Sequence, residues 1–204
     1  RRITGYKRPD LILTNPDRLC QICNIRPLQI IFAGKAHPND LEGQEVIKKI
    51  IHTKNNYKDT IKIAYLENYN IKVAKILTQG ADLWLNNPIP LMEASGTSGM
   101  KAAFNGVPSL SSIDGWWAEA ITAGEGVTGW SIGNHNNHNN LTNEERNHKD
   151  SNSIYDKLEQ TIVPLFYNHQ DQWIEVMKNS IAKNGAYFNS HRMVKEYWDR
   201  AWSK

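Results

Sequence analysis

The chain is short of several things that would settle its class at once. It has only two cysteines, Cys20 and Cys23, in 204 residues. That excludes a disulfide-stapled scaffold, and no second CxxC pair completes a zinc site. The CxxC spacing alone would allow a redox pair, but the run from Asp17 to Cys23 reads as a helix, so small thiols packed on one helical face are expected. No stretch approaches the roughly 20 apolar residues that span a bilayer. The N-terminus has no apolar h-region and does not read as a secretory signal, so the cytoplasm is the expected location. Charge of one sign is also lacking: the net charge is +3, and the Lys and Arg residues are spread out. No basic stripe with interleaved aromatics argues for nucleic acid. There are no internal repeats. Nor does the chain start with Met; it opens on Arg1-Arg2, which reads as a piece of a longer protein.

What is present alternates. Short apolar runs at 28–33, 61–66 and 81–85 read as strands, with further short strands at 107–111 and 127–132. Helical spacing runs through 43–57 and 69–79, and another helix is expected from about Ser98 to Gly106. Strands alternating with helices predict βαβ units and an α/β fold with a Rossmann-like parallel sheet flanked by helices. Ligands in such folds collect at the carboxyl ends of strands, here after Ala33, Leu66 and Leu85. Residues 133–153 carry Asn-His-Asn-Asn-His-Asn-Asn and few apolar side chains, so 134–150 is expected to be a polar, mobile surface loop. His135 and His138 in it are expected to be solvated rather than metal-bound, and no metal site is expected. Three amphipathic helices should follow, at 154–167, 170–183 and 190–202. The aromatics of the last are expected to be packing rather than a sugar platform.

Three segments carry chemistry. The loop Glu93-Ala94-Ser95-Gly96-Thr97-Ser98-Gly99-Met100-Lys101 leads small residues into a helix. Gly96 and Gly99 allow close approach to the backbone, and Thr97, Ser98 and Gly99 would offer amide N–H groups to an anion. Lys101 follows within that helix, as a counter-charge or as an amine for a carbonyl. The segment Arg1-Arg2-Ile3-Thr4-Gly5-Tyr6-Lys7-Arg8 packs four cations into eight residues, a density suited to two phosphates close together. Leu66-Glu67-Asn68-Tyr69 sits where a ligand loop is expected. Each segment alone is also compatible with a bland reading: a capped turn, a solvated terminus or an ordinary loop.

Together they are more specific. The loop from Glu93 to Gly106 closely resembles the pyridoxal-phosphate loop of the glycogen and starch phosphorylases. Arg1–Pro9, Phe32–Pro38 and Leu66–Tyr69 resemble further segments of that family. Trp84–Pro88 and Asp114-Gly115-Trp116-Trp117 look like its short bacterial and archaeal forms. The resemblance implies the C-terminal half of a GT-B glycosyltransferase fold over 1–204, with the N-terminal domain absent. It implies a strand before Arg1 that this stretch lacks. It further implies pyridoxal 5′-phosphate on Lys101 as a Schiff base, with Thr97, Ser98, Gly99, Arg1 and Lys7 around the cofactor phosphate. Arg2 and Lys7 would hold the substrate phosphate with Tyr69 nearby, and Glu93, Ser95 and Gly96 would bond glucosyl hydroxyls. Lys101, Arg2 and Lys7 would be the catalytic groups.

The implied reaction is reversible phosphorolysis of a terminal α-1,4-linked glucose by orthophosphate, releasing glucose 1-phosphate. The implied partners are an α-1,4-glucan, phosphate, the protein's own N-terminal domain and, at full length, a second copy. An isolated chain would hold half a cleft and is expected to be inactive, a folded fragment or at most a glucan-binding module. In places the pattern departs from the animal and plant enzymes: Thr4-Gly5 replaces a His-Glu pair, Ser98-Gly99 replaces Gly-Asn, and Asn70 stands for an arginine. A nucleotide-sugar transferase of the same fold is the rival enzyme. It would need a second glutamate eight positions after Glu93, and that position is Lys101.

Overall fold

A computed structural model describes residues 2–133 and 141–203. Arg1 and residues 134–140, with His135 and His138, lie outside the described residues. Among the described residues five strands form: β1 (Gln29–Ala33), β2 (Lys62–Leu66), β3 (Trp84–Asn86), β4 (Ser109–Ser112) and β5 (Gly129–Ile132). Every ladder is parallel, as the alternating pattern requires. The sheet comes in two pieces, β1 beside β2 and the order β3-β4-β5. Between them runs the N-terminal segment. Arg2 makes a parallel bridge to Lys35, and the Ile3 N–H donates to Lys35 O at 2.9 Å. On the other side, the Ile89 N–H donates to Tyr6 O at 2.7 Å. The basic segment therefore crosses the carboxyl ends of β1 and β3, where a parallel α/β fold keeps its ligands.

The crossovers are α1 (Pro16–Ile25), α2 (Leu41–Asn56), α3 (Ile71–Gly80), α4 (Thr97–Phe104) and the short α5 (Trp116–Ala120). Asn15, Asp40 and Asn70 cap the first three through their side-chain oxygens. Asn70 thus has a structural task here, accepting from the Lys72 and Val73 N–H groups. The cysteines of α1 are half-buried, packed on the core and free, as expected of small thiols on one face. The main core gathers Leu19, Ile22, Ile50, Ile61, Leu110 and Ile132 from strands and helices, with Ile154 and Tyr155 sealing it.

From Asn143 onward the expected loop at 134–150 is corrected by α6 (Asn143–Lys157). Thr142 and Glu145 form a reciprocal capping box at its start. The helix is polar because its inward face buries Asp150 and Ser151 ahead of Ile154 and Tyr155. The helix expected from residue 154 is therefore the end of α6. A wide π turn (Leu158–Ile162) then leads into α7 (Val163–Asn168). That turn falls just before Pro164, which has no N–H for the helical ladder. Next come α8 (Gln170–Asn179) and α9 (Ser190–Tyr197), each extended by a π turn. The aromatics of the last helix do not pack as expected: Tyr197, Trp198 and Trp202 are 53%, 59% and 64% exposed. Among the described residues, no helix is long and apolar enough to cross a membrane.

Candidate functional site at the carboxyl ends of β1 and β3

The loop after β3 is positioned before α4 begins. The Asp114 carboxylate, itself buried, accepts the Glu93 N–H at 2.8 Å and the Gly115 N–H at 2.9 Å. The Trp116 N–H donates to Ser95 O at 2.9 Å. A turn thus runs beside the Glu93–Ser95 backbone and holds it in place. The turn needs Gly115: its φ is +53°, and a Cβ there would lie 2.5 Å from Ser95 O.

α4 starts from Gly96, in a left-handed conformation at φ +82°, and has no side-chain cap. Its first amides include those of Thr97 and Ser98. The Gly99 N–H is already given to Gly96 O at 3.1 Å. The space a Gly99 Cβ would take belongs to the Trp116 indole, 2.8 Å away at Nε1. Gly99 is therefore packed against an indole, and its amide, expected to face an anion, is here bonded within the first turn. Lys101 lies in the second turn of α4, exposed and without an ion pair among the described residues.

Of the expected cations, Lys7 meets the loop directly. Its Nζ pairs with a Glu93 carboxylate oxygen, and also sits 5.0 Å from the centre of the Tyr6 ring. Both side chains are partly buried, at 26% and 11% exposure. Arg2 is exposed beside Lys35. Tyr69 is half-buried after β2, on the same carboxyl-end side, and no hydrogen bond joins it to Lys7 or Glu93 among the described residues. Asn68 beside it turns through φ +53°. Ser95 and Gly96 are half-buried in the loop.

Arg8 does something else. Counted with the other cations as phosphate-facing charge, it instead points inward and is 4% exposed. Its Nε donates to Asn87 O, one amino group to Asn147 Oδ1 and the other to Pro88 O, each at 2.9 Å. Asp150 lies 2.8 Å from that second amino group. Burial pulls the guanidinium pKa down, and Asp150 opposes that shift. Four cations in eight residues are thus not four charges on one face. Residue spacing signalled neither Arg8 nor Asp114, because their partners lie 79 or more and 21 positions away along the chain.

The arrangement is that of a parallel α/β protein with a basic strand-end segment set against a small-residue loop. Residues 1–160 match the family model for carbohydrate phosphorylase. The chain is 44% identical to a glycogen phosphorylase of Aquifex aeolicus, over all of this chain and 29% of the relative. It is 44% identical to a maltodextrin phosphorylase of Thermococcus litoralis, again over all of this chain and 24% of the relative. A glycogen phosphorylase of Mycobacterium tuberculosis is 37% identical, over 97% of this chain and 23% of its own length. This chain belongs to the carbohydrate phosphorylase family. It spans between 23% and 29% of the length of these relatives.

Proposed function

We propose that the chain is the cofactor- and phosphate-handling C-terminal domain of a cytoplasmic α-glucan phosphorylase with a GT-B fold. The whole protein would transfer glucose from the end of an α-1,4-glucan to orthophosphate, yielding glucose 1-phosphate. The observation that carries this reading is the pairing of Lys7 with Glu93 at the carboxyl end of β3, beside the helix that bears Lys101. The names of the relatives, glycogen and maltodextrin phosphorylase, support it.

The residues present fit pyridoxal phosphate. Lys101 offers an exposed amine without an ion pair among the described residues, on a helix whose N-terminus has no side-chain cap. Thr97 and Ser98 would hold the cofactor phosphate at that N-terminus, with Arg1 and Lys7 adding charge. When bound, the cofactor would supply a phosphate that donates or relays a proton to the substrate phosphate. The chain's own part is to bind and orient. Two phosphates in contact repel strongly at low effective dielectric, so Arg2 and Lys7 offset that charge. Glu93 would accept from glucosyl hydroxyls, with Ser95 and Gly96, while Lys7 turns to phosphate. The Lys7–Glu93 pair then keeps the sugar-facing and phosphate-facing groups in register before substrate arrives. Tyr69 borders the same space. The remaining contacts to glucan would come from the N-terminal domain of the same protein, and the full-length enzyme would form a homodimer.

The test is borohydride reduction of freshly purified full-length protein, then peptide mass spectrometry. A pyridoxyl-phosphate adduct is expected on Lys101. Folded protein with Lys101 unmodified would overturn the cofactor assignment.

A further inference from the structure

Arg8 is the least accessible of the described cations in the basic segment, and it joins three parts of the fold. Its own turn lies at φ 44°, a left-handed conformation that an arginine adopts only where its surroundings insist. The Arg8 N–H closes the turn on Gly5 O at 3.0 Å, and the Leu11 N–H returns to Arg8 O at 2.9 Å. The side chain then reaches the backbone carbonyls of Asn87 and Pro88, which begin the loop that runs on to Glu93. Its far side meets Asn147 and Asp150 on α6. Asn87 reciprocates, its amide donating to the Lys7 and Arg8 carbonyls.

The basic segment and the Glu93 loop are thus both fastened to one buried guanidinium. The next residue back, Lys7, is the one that meets Glu93. Lysine could not replace this fork: its three N–H donors radiate from one atom, and they cannot reach two carbonyls, an amide oxygen and a carboxylate at once.

We propose that Arg8 and Asp150 are a positioning pair, setting the turn that presents Lys7 to the Glu93 loop, so that phosphate affinity depends on a helix that touches no substrate. This rests on the phosphorylase reading for its role in catalysis, but not for its geometry. A purely structural ion pair makes a different prediction. It would change stability and leave the phosphate dependence of the folded protein alone.

The experiment uses the full-length protein and two variants, Arg8→Lys and the paired Arg8→Met/Asp150→Leu. The paired change removes both buried charges together, a swap that proteins often tolerate without unfolding. Phosphorolysis is measured against orthophosphate and against glucan separately. Misplacement of an oriented group predicts that KM for phosphate rises about ten- to hundredfold in either variant, with KM for glucan little changed. A double-mutant cycle with Lys7→Ala sharpens the test: in that background, Arg8→Lys should add less than about a twofold effect. Folded variants with KM for phosphate within about twofold of the parent, or effects that multiply fully with Lys7→Ala, would overturn the proposal. If the parent binds orthophosphate by calorimetry but performs no phosphorolysis, the functional reading fails. The same titration then decides the pair, since equal phosphate affinity in parent and variants overturns it and weaker affinity in the variants supports it. A parent that binds no orthophosphate overturns both.

Discussion

Replacing Gly99 with alanine should disrupt the loop through the indole packed against it. The new Cβ would sit 2.8 Å from Trp116 Nε1 and 3.0 Å from its Cζ2, inside any ordinary carbon contact. The indole has little room to retreat. It is 3% exposed and wedged edge-on between Trp117 and Phe188, with ring centres 5.5 Å and 5.2 Å away. Overpacking of this kind costs about 1–3 kcal/mol. With a urea dependence of about 2 kcal/mol per molar, the unfolding midpoint should fall by roughly 0.5–1.5 M. The displacement should also reach Ser95, whose carbonyl takes the Trp116 N–H. Gly80→Ala is the matched control. Nothing lies within 4 Å of a Cβ there, so the change should be neutral or stabilise by about 0.4–1 kcal/mol, as removal of glycine entropy does. Urea titrations of both variants followed by tryptophan fluorescence make the comparison. Equal midpoints for Gly99→Ala and the parent would refute the packing argument and return Gly99 to a ligand-facing role.

Three further outcomes are expected. Tyr155→Phe should lose about 1–3 kcal/mol in chemical unfolding, because the fully buried hydroxyl donates to Ile12 O and accepts the Asn15 N–H, both at 2.9 Å. A loss under about 0.5 kcal/mol would show that water replaces it. Cys20 and Cys23 should react slowly with iodoacetamide at neutral pH. Burial raises both thiol pKa values, so less thiolate is present than in a free cysteine, and the rate should climb as pH rises toward them. Labelling as fast as free cysteine at pH 7 would contradict the packed-thiol assignment. The isolated 204-residue chain should make no glucose 1-phosphate from glucan and phosphate, a result any coupled assay for that product can contradict.

The alternation of strands and helices was legible because short, largely apolar runs at 28–33 and 61–66 alternate with helically spaced segments, although β1 and β2 are only partly buried while β4 and β5 are buried throughout. Element ends were less so: β3 begins at Trp84, not Ala81, and α5 was not expected at all. The start of α6 was written in the sequence as Thr142 and Glu145, but low apolar content masked it. Its buried side chains include Asp150, whose neutralising partner is Arg8, 142 positions back.

Sequence alone determined the order of the five described strands, the small-residue loop before Lys101 and the family. These depend on local propensity and on residue types at fixed spacing. Only tertiary structure decided which cations face the site. Lys7 turns to Glu93, while Arg8, its chain neighbour, turns inward to carbonyls and Asp150. Nothing in the run Tyr6-Lys7-Arg8 distinguishes the two, because a left-handed turn at Arg8 and partners far along the chain set their directions. The packing of Gly99 was decided in the same way, by an indole set against it from α5.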